Sequence, residues 1–169
     1  QCAESDQAAL YGALTEAASA YGGGPVGSRA LGALRIEKGY GSWGREYSPE
    51  YWPQEARLHR LIKLDKEFLN KDAYMKISNT PPRETLTMFE VDAGDDADAN
   101  GGEPIFLADG TPVGRVTSGA FGHTVGKSLA IGYAREGTVA AGDEVDIFIL
   151  GKPHRATVLA EPPFDATGT

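Results

Sequence analysis

The sequence predicts an α+β chain in two parts: a helix-and-loop portion over residues 1–82 and a small antiparallel six-stranded β-barrel over 83–169. Three observations carry this. The two amphipathic helical patterns of useful length both fall early in the chain. The polar, proline-paired stretch Ser78-Asn79-Thr80-Pro81-Pro82-Arg83 then reads as a linker, and composition shifts after it. Beyond it come six short β-prone runs, at 85–91, 104–108, 112–118, 128–134, 143–150 and 154–160, divided by turn residues and with no long helix among them.

The first helix is expected to start at Ser5-Asp6-Gln7, where Ser5 or Asp6 can act as N-cap. Ala9, Leu10, Ala13, Leu14, Ala17 and Tyr21 then form one apolar stripe, and Gly22-Gly23-Gly24-Pro25 ends it. A second helix runs from a Ser28 cap to about Glu37, with Ala30, Leu31 and Leu34 expected to face inward. Residues 38–56 form a long loop rich in aromatics and proline. Loops of that length inside a compact domain are uncommon unless they carry function. The alternation in Arg57-Leu58-His59-Arg60-Leu61-Ile62-Lys63-Leu64 suits a strand with one wet face, and Lys71–Ile77 reads as a short helix. In the second part, Asp109-Gly110 is a strong hairpin signal. Asp92–Gly102 resembles a calcium loop only superficially, because the ligand order and the closing Glu are missing, so a mobile acidic loop is expected there.

A net charge of −8 leaves no basic face for a nucleic-acid backbone, and no apolar run approaches the ~20 residues that a membrane span needs. The single cysteine, Cys2, excludes an internal disulfide. His59, His123 and His154 are scattered, with no Cys or His at metal-ligand spacing, so no metal site is expected. Thr117-Ser118-Gly119 reads as a structural turn, since no base is placed by sequence to activate Ser118.

The stretch Leu34–Pro49 holds the chemistry. Gly39 supplies a helix stop, so Glu37 sits at a helix exit, where the negative end of the dipole disfavours a carboxylate. A cationic or hydrogen-bond-donating partner would offset this. Glu37 is then either solvated, paired with Arg35, Lys38 or Arg45, or aimed at a ligand. Tyr40, Trp43, Tyr47, Tyr51 and Trp52 either pack the loop onto its own domain or wall a flat heterocycle, with Tyr40 and Trp43 nearest Glu37.

The runs Ala30-Leu31-Gly32-Ala33-Leu34-Arg35-Ile36-Glu37-Lys38-Gly39-Tyr40, Trp43-Gly44-Arg45-Glu46-Tyr47 and Pro53-Gln54-Glu55-Ala56 resemble the folate-binding region of the glycine-cleavage T-protein (aminomethyltransferase) family. The branch fused to flavin oxidases, the dimethylglycine and sarcosine dehydrogenases, is most similar. Gly114–Ala120 and Gly126–Tyr133 are similar to two runs of that family's C-terminal barrel. The resemblance implies that Glu37 holds the pterin of tetrahydrofolate, whose 2-amino group and N3–H form a two-donor edge for one carboxylate. It implies a tetrahydrofolate-dependent one-carbon enzyme, cytoplasmic or in the mitochondrial matrix if eukaryotic, with FAD confined to an upstream domain. The family's catalytic Asp matches no position here, so the chain is expected to be the C-terminal piece of a longer polypeptide, inactive alone. The same fold used as a non-catalytic binding or assembly module is the alternative. Two departures stand out. Arg57 occupies the place of a Gly, and Arg60 that of a Tyr near folate, where it would serve as a cation for the folate's glutamate tail. Asn70 also replaces a Gly, but tolerates the left-handed conformation.

Overall fold

The computed structural model describes residues 2–94 and 97–167. The chain divides into two compact units, Gln1–Leu31 and Gly32–Thr169. In the first, a 3-10 turn at Glu4–Asp6 leads into α1 (Gln7–Ser19), where Asp6 precedes the helix without capping it through its side chain. The stripe has the expected spacing, yet α1 buries no residue within the described chain, and Leu14 is 61% exposed. Among the described residues no helix is long and apolar enough to cross a membrane.

The second unit is built on a closed antiparallel barrel in the order β1-β4-β3-β2-β5-β6. Its strands are β1 (Glu84–Val91), β2 (Pro104–Phe106), β3 (Pro112–Gly122), β4 (Lys127–Arg135), β5 (Glu144–Ile149) and β6 (Lys152–Leu159). All six expected runs are present. Asp109-Gly110 makes the β2–β3 turn, with Gly110 at φ +83°.

Because side chains alternate across a strand, β1 sends Phe89 and Val91 into the barrel with Ile105, Val116, Val145 and Ile147, while Leu86 and Met88 point outward. β4 does the same with Ala130 inside and Leu129, Ile131 and Tyr133 outside. Ile36 of α2 (Ser28–Glu37) and the side chains of Tyr47 and Tyr51 cover that outer face. β1 and β4 are thus buried on both sides.

This packing corrects three expectations. The buried face of α2 is Ala33, Ile36 and Glu37, whereas Leu31 and Leu34 are 59% and 52% exposed. The helix is rotated because only the Ile36 side meets the outward residues of β1 and β4. Residues 57–64 form no strand; they hold a 3-10 turn at His59–Leu61. Arg57 takes φ +57°, which breaks an extended run, and a closed barrel has no free edge to pair with one. Ser118 lies within β3, beside a register shift at Val116/Ser118, and not in a turn.

Of the acidic stretch, Asp95 and Asp96 lie outside the described residues. Its described flanks are packed rather than loose: Ala93 and Ala99 are buried, and Asp98 accepts a hydrogen bond from Ser128. Asn70 does take the left-handed conformation expected of it, at φ +65°, just before α3 (Lys71–Ser78).

The entry to β1 is fixed by one buried carboxylate. Glu55 accepts from Trp52 N (2.9 Å), Arg83 N (3.0 Å), Arg83 Nε (2.8 Å) and Arg83 Nη2 (2.7 Å). Its own carbonyl accepts from Leu86 N, 2.8 Å. The Arg83 fork and the two backbone donors outweigh burial and hold the Glu55 carboxyl down at about 2.

Two outcomes are expected. Gly132→Ala would place a Cβ 2.3 Å from the Arg115 carbonyl oxygen. It should therefore lower unfolding free energy by about 3 kcal/mol in urea titrations, the upper part of the overpacking range. Glu55 has a lower pKa folded than its ordinary value near 4.5. Its contribution is therefore complete above the ordinary value and lost as pH falls toward 2. Urea midpoints should drop between pH 6 and pH 3, and Glu55→Gln should flatten part of that drop; an unchanged slope would contradict the assignment.

Candidate functional site

The site begins where α2 stops. Gly39, at φ +70°, donates to Ile36 O (2.9 Å) while Tyr40 N reaches back to Arg35 O (2.8 Å), a Schellman ending. Pro162 closes on Gly39, where a Cβ would stand 2.8 Å from its Cγ. This fixes Glu37 in the last helical position with only 1% of its surface exposed.

Glu37 is neither solvated nor paired with an arginine or lysine. Arg35 donates to Tyr40 O, Glu46 and Ser118. Lys38 pairs with Asp165, and Arg45 donates to Asn100 O and Thr117 O. The partners of Glu37 are main-chain donors on the β3–β4 hairpin: Oε1 accepts from Thr124 N at 2.6 Å and, more weakly, from Val125 N at 3.4 Å. The carbonyl of Glu37 accepts from Phe164 N, 3.3 Å. Among the described residues, Oε2 has no protein partner.

The other expected site residues divide. Tyr40 and Arg60 share one cavity of about 430 Å³, together with Lys38, Arg57, Met88 and Glu161. Glu37 and Trp43 are not on its wall, and Trp43 stands 79% exposed. Of the remaining loop aromatics, Tyr47 also lines this cavity, and Tyr51 and Trp52 pack against β4 and against Arg83. Tyr51 stacks on Tyr133 at 3.8 Å, the Tyr47 hydroxyl accepts from Gly41 N, and Trp52 lies under the Arg83 guanidinium.

Sequence reasoning missed the two most fully satisfied carboxylates nearby, Glu55 and Glu46. Glu46 Oε1 accepts from Thr117 Oγ1 and Ser118 Oγ, both at 2.6 Å. Its Oε2 accepts from Arg35 Nη1 (2.9 Å) and Ser42 N (2.8 Å). Burial pushes the Glu46 carboxyl up, but the Ser118 and Thr117 hydroxyls, the Ser42 amide and the Arg35 charge together hold it below its usual range. The only signal for either residue was its presence in the motif runs. Among the described residues no group of three or more His, Cys, Asp or Glu side chains is placed to hold a metal ion.

Several known proteins are similar to this chain in sequence or fold. Residues 1–66 match the GCVT N-terminal domain, and residues 85–165 match the glycine cleavage T-protein C-terminal barrel domain. The chain is 36% identical over 159 residues to mitochondrial dimethylglycine dehydrogenase of Mus musculus, covering 93% of this chain and 18% of that protein. It is 36% identical over 146 residues to the aminomethyltransferase of Herpetosiphon aurantiacus, covering 86% and 40%. The fold superposes on the glycine cleavage system aminomethyltransferase T of Bartonella henselae with a TM-score of 0.72 at 24% identity, covering 81% of this chain and 38% of that one. This chain therefore spans less than half the length of each. With both matches in order along most of its length, over the closed barrel and the carboxylate-pinned loop, the chain belongs to the glycine-cleavage T-protein family.

Proposed function

We propose that the chain is the C-terminal piece of a tetrahydrofolate-dependent one-carbon enzyme, residues 1–82 completing a folate-binding domain and 83–169 forming a C-terminal β-barrel domain. In this reading the parent polypeptide takes a methylene or aminomethyl group from a methylated glycine or a glycine-derived amine. Its length relative to the matched dehydrogenase is consistent with an upstream FAD domain, and similarity to a mitochondrial protein with a matrix location in a eukaryote. The catalytic Asp of the family belongs to the preceding part of that polypeptide.

One observation carries the reading. Glu37 is a buried carboxylate whose Oε2 has no protein partner among the described residues, whereas both oxygens of Glu46 and of Glu55 are engaged. A buried anionic acceptor left open suits a ligand edge that carries N–H donors, and the pterin 2-amino and N3–H groups form one. Tetrahydrofolate supplies two nitrogens able to accept a one-carbon unit. The residues of this chain bind and orient it. Glu37 accepts from the pterin edge, Tyr40 offers an aromatic face on the cavity it shares with Arg60, the exposed Trp43 offers a second face, and Arg60, without an ion-pair partner among the described residues, offers a cation to the glutamate tail.

Calorimetric titration of the intact polypeptide with 5-formyltetrahydrofolate tests this. Glu37→Gln should weaken binding by about 30-fold, on the order of 2 kcal/mol for a charge-assisted bond; wild-type affinity in that variant would dispose of the reading. Arg60→Ala should weaken folate several-fold while leaving a tail-less pterin unaffected, and equal effects on both ligands would remove Arg60 from the tail site. The 169 residues alone should form no methylenetetrahydrofolate.

A further inference from the structure

We infer that the tip of the β3–β4 hairpin, residues 122–126, is a positioning element for Glu37: the Thr124 main-chain N–H fixes one carboxylate oxygen so that the other is the acceptor shown to a ligand. The inference rests on the reading of Glu37 as the pterin-binding residue.

The geometry is specific. Thr124 N lies 2.6 Å from Oε1, a short charge-assisted bond, and Val125 N adds a long second one to the same oxygen. The tip is closed on itself by Gly126 N donating to Gly122 O at 2.7 Å, with Gly126 at φ +69°. Gly122 lets the hairpin come this near. A Cβ there would stand 3.0 Å from Glu37 Cγ, 3.1 Å from Oε1 and 2.9 Å from Val125 Cγ2. The backbone of Glu37 is held separately by the Schellman ending and by Phe164 N. A glutamate has three rotatable side-chain bonds, and ordering it on binding costs affinity; here the barrel has ordered it beforehand. The consequence is selectivity. A carboxylate with Oε1 committed presents Oε2 in one direction and distinguishes a ligand with a donor at one place on its edge from one lacking it. A carboxylate released from the hairpin swivels to suit either.

The test uses the intact polypeptide and two probes, 5-formyltetrahydrofolate and its 2-desamino counterpart. The readout is the ratio of their dissociation constants, which a loss of folded protein does not alter. Thr124→Ala keeps the N–H and should leave both constants unchanged. Thr124→Pro removes the N–H, and Gly122→Ala drives a methyl group against the carboxylate. Each should weaken the 2-amino probe by about tenfold, the loss of one charge-assisted bond, and bring the ratio toward unity. A wild-type ratio in Gly122→Ala and Thr124→Pro overturns the inference, as does a Thr124→Ala variant as damaged as Thr124→Pro. If neither hairpin variant folds, hydrogen exchange of the 122–126 segment in Glu37→Ala, which has no acceptor for Thr124 N, decides: exchange about tenfold faster supports the latch and unchanged exchange refutes it. Unchanged folate affinity in Glu37→Gln sinks the underlying reading. Lost affinity there with neutral hairpin variants sinks only the positioning role.

Discussion

The constraint on which the second unit depends is that Glu46 is fully buried and must be answered wherever it goes. An unpaired carboxylate in an apolar interior costs several kcal/mol, on the order of the whole net stability of a small domain, so its donors cannot be optional. They arrive from three places: Arg35 near the end of α2, Ser42 in the loop, and Thr117 and Ser118 on β3, while the Glu46 carbonyl takes the Tyr133 hydroxyl of β4 at 2.7 Å. Meeting those bonds at once fixes the helix exit, the loop and the barrel wall with respect to one another. The register shift at Val116/Ser118 belongs to the same arrangement, because a regular strand sends neighbouring side chains to opposite faces, yet Thr117 and Ser118 both donate to one oxygen.

Glu37, Glu46 and Glu55 stand nine residues apart in the chain, and each is at most 1% exposed. Residues 38–56 hold no helix or paired strand beyond the Trp43–Tyr47 bridge, so backbone ladders do little to order them. The carboxylates take over that task by accepting from main-chain N–H groups: Thr124 and Val125 for Glu37, Ser42 for Glu46, Trp52 and Arg83 for Glu55. The loop is pinned at its start, middle and end. Its Tyr47 and Tyr51 then lie over Leu86, Met88, Leu129, Ile131 and Tyr133, an apolar outer face that water would otherwise meet.

The barrel was legible because six short β-prone runs lie between turn residues, and local pattern and final pairing agree. Reading failed where tertiary contact decides. Arg57–Leu64 alternates as a strand should, but pairing needs an edge, and closure of the barrel is a property of six distant segments. α2 has apolar residues on two faces, and sequence favoured the leucines; the one outward surface of β1 and β4 selected Ala33 and Ile36. Glu46 and Glu55 were opaque for a related reason. A glutamate among aromatics and prolines reads as surface until the arginines at 35 and 83 and the hydroxyls at 117 and 118 are known to converge on it. Position 37 was visible through its motif and its helix-end placement, while its partners, two amides on a hairpin some 87 positions away, had no local trace.

The reading proposed for Glu37 draws its support from a comparison with the other two. Glu46 and Glu55 each have an arginine and each use both oxygens, which is how a carboxylate serving the fold alone is expected to look. Glu37 is buried as deeply, lies at the unfavourable end of a helix dipole, and has neither a cation nor, among the described residues, a donor for Oε2. Selection for stability alone would favour a neutral side chain there, since a glutamine could accept from Thr124 N without a charge to bury. A carboxylate is worth its cost if something outside these residues brings donors to the second oxygen. In the function proposed above, the N–H edge of a heterocycle is what brings them.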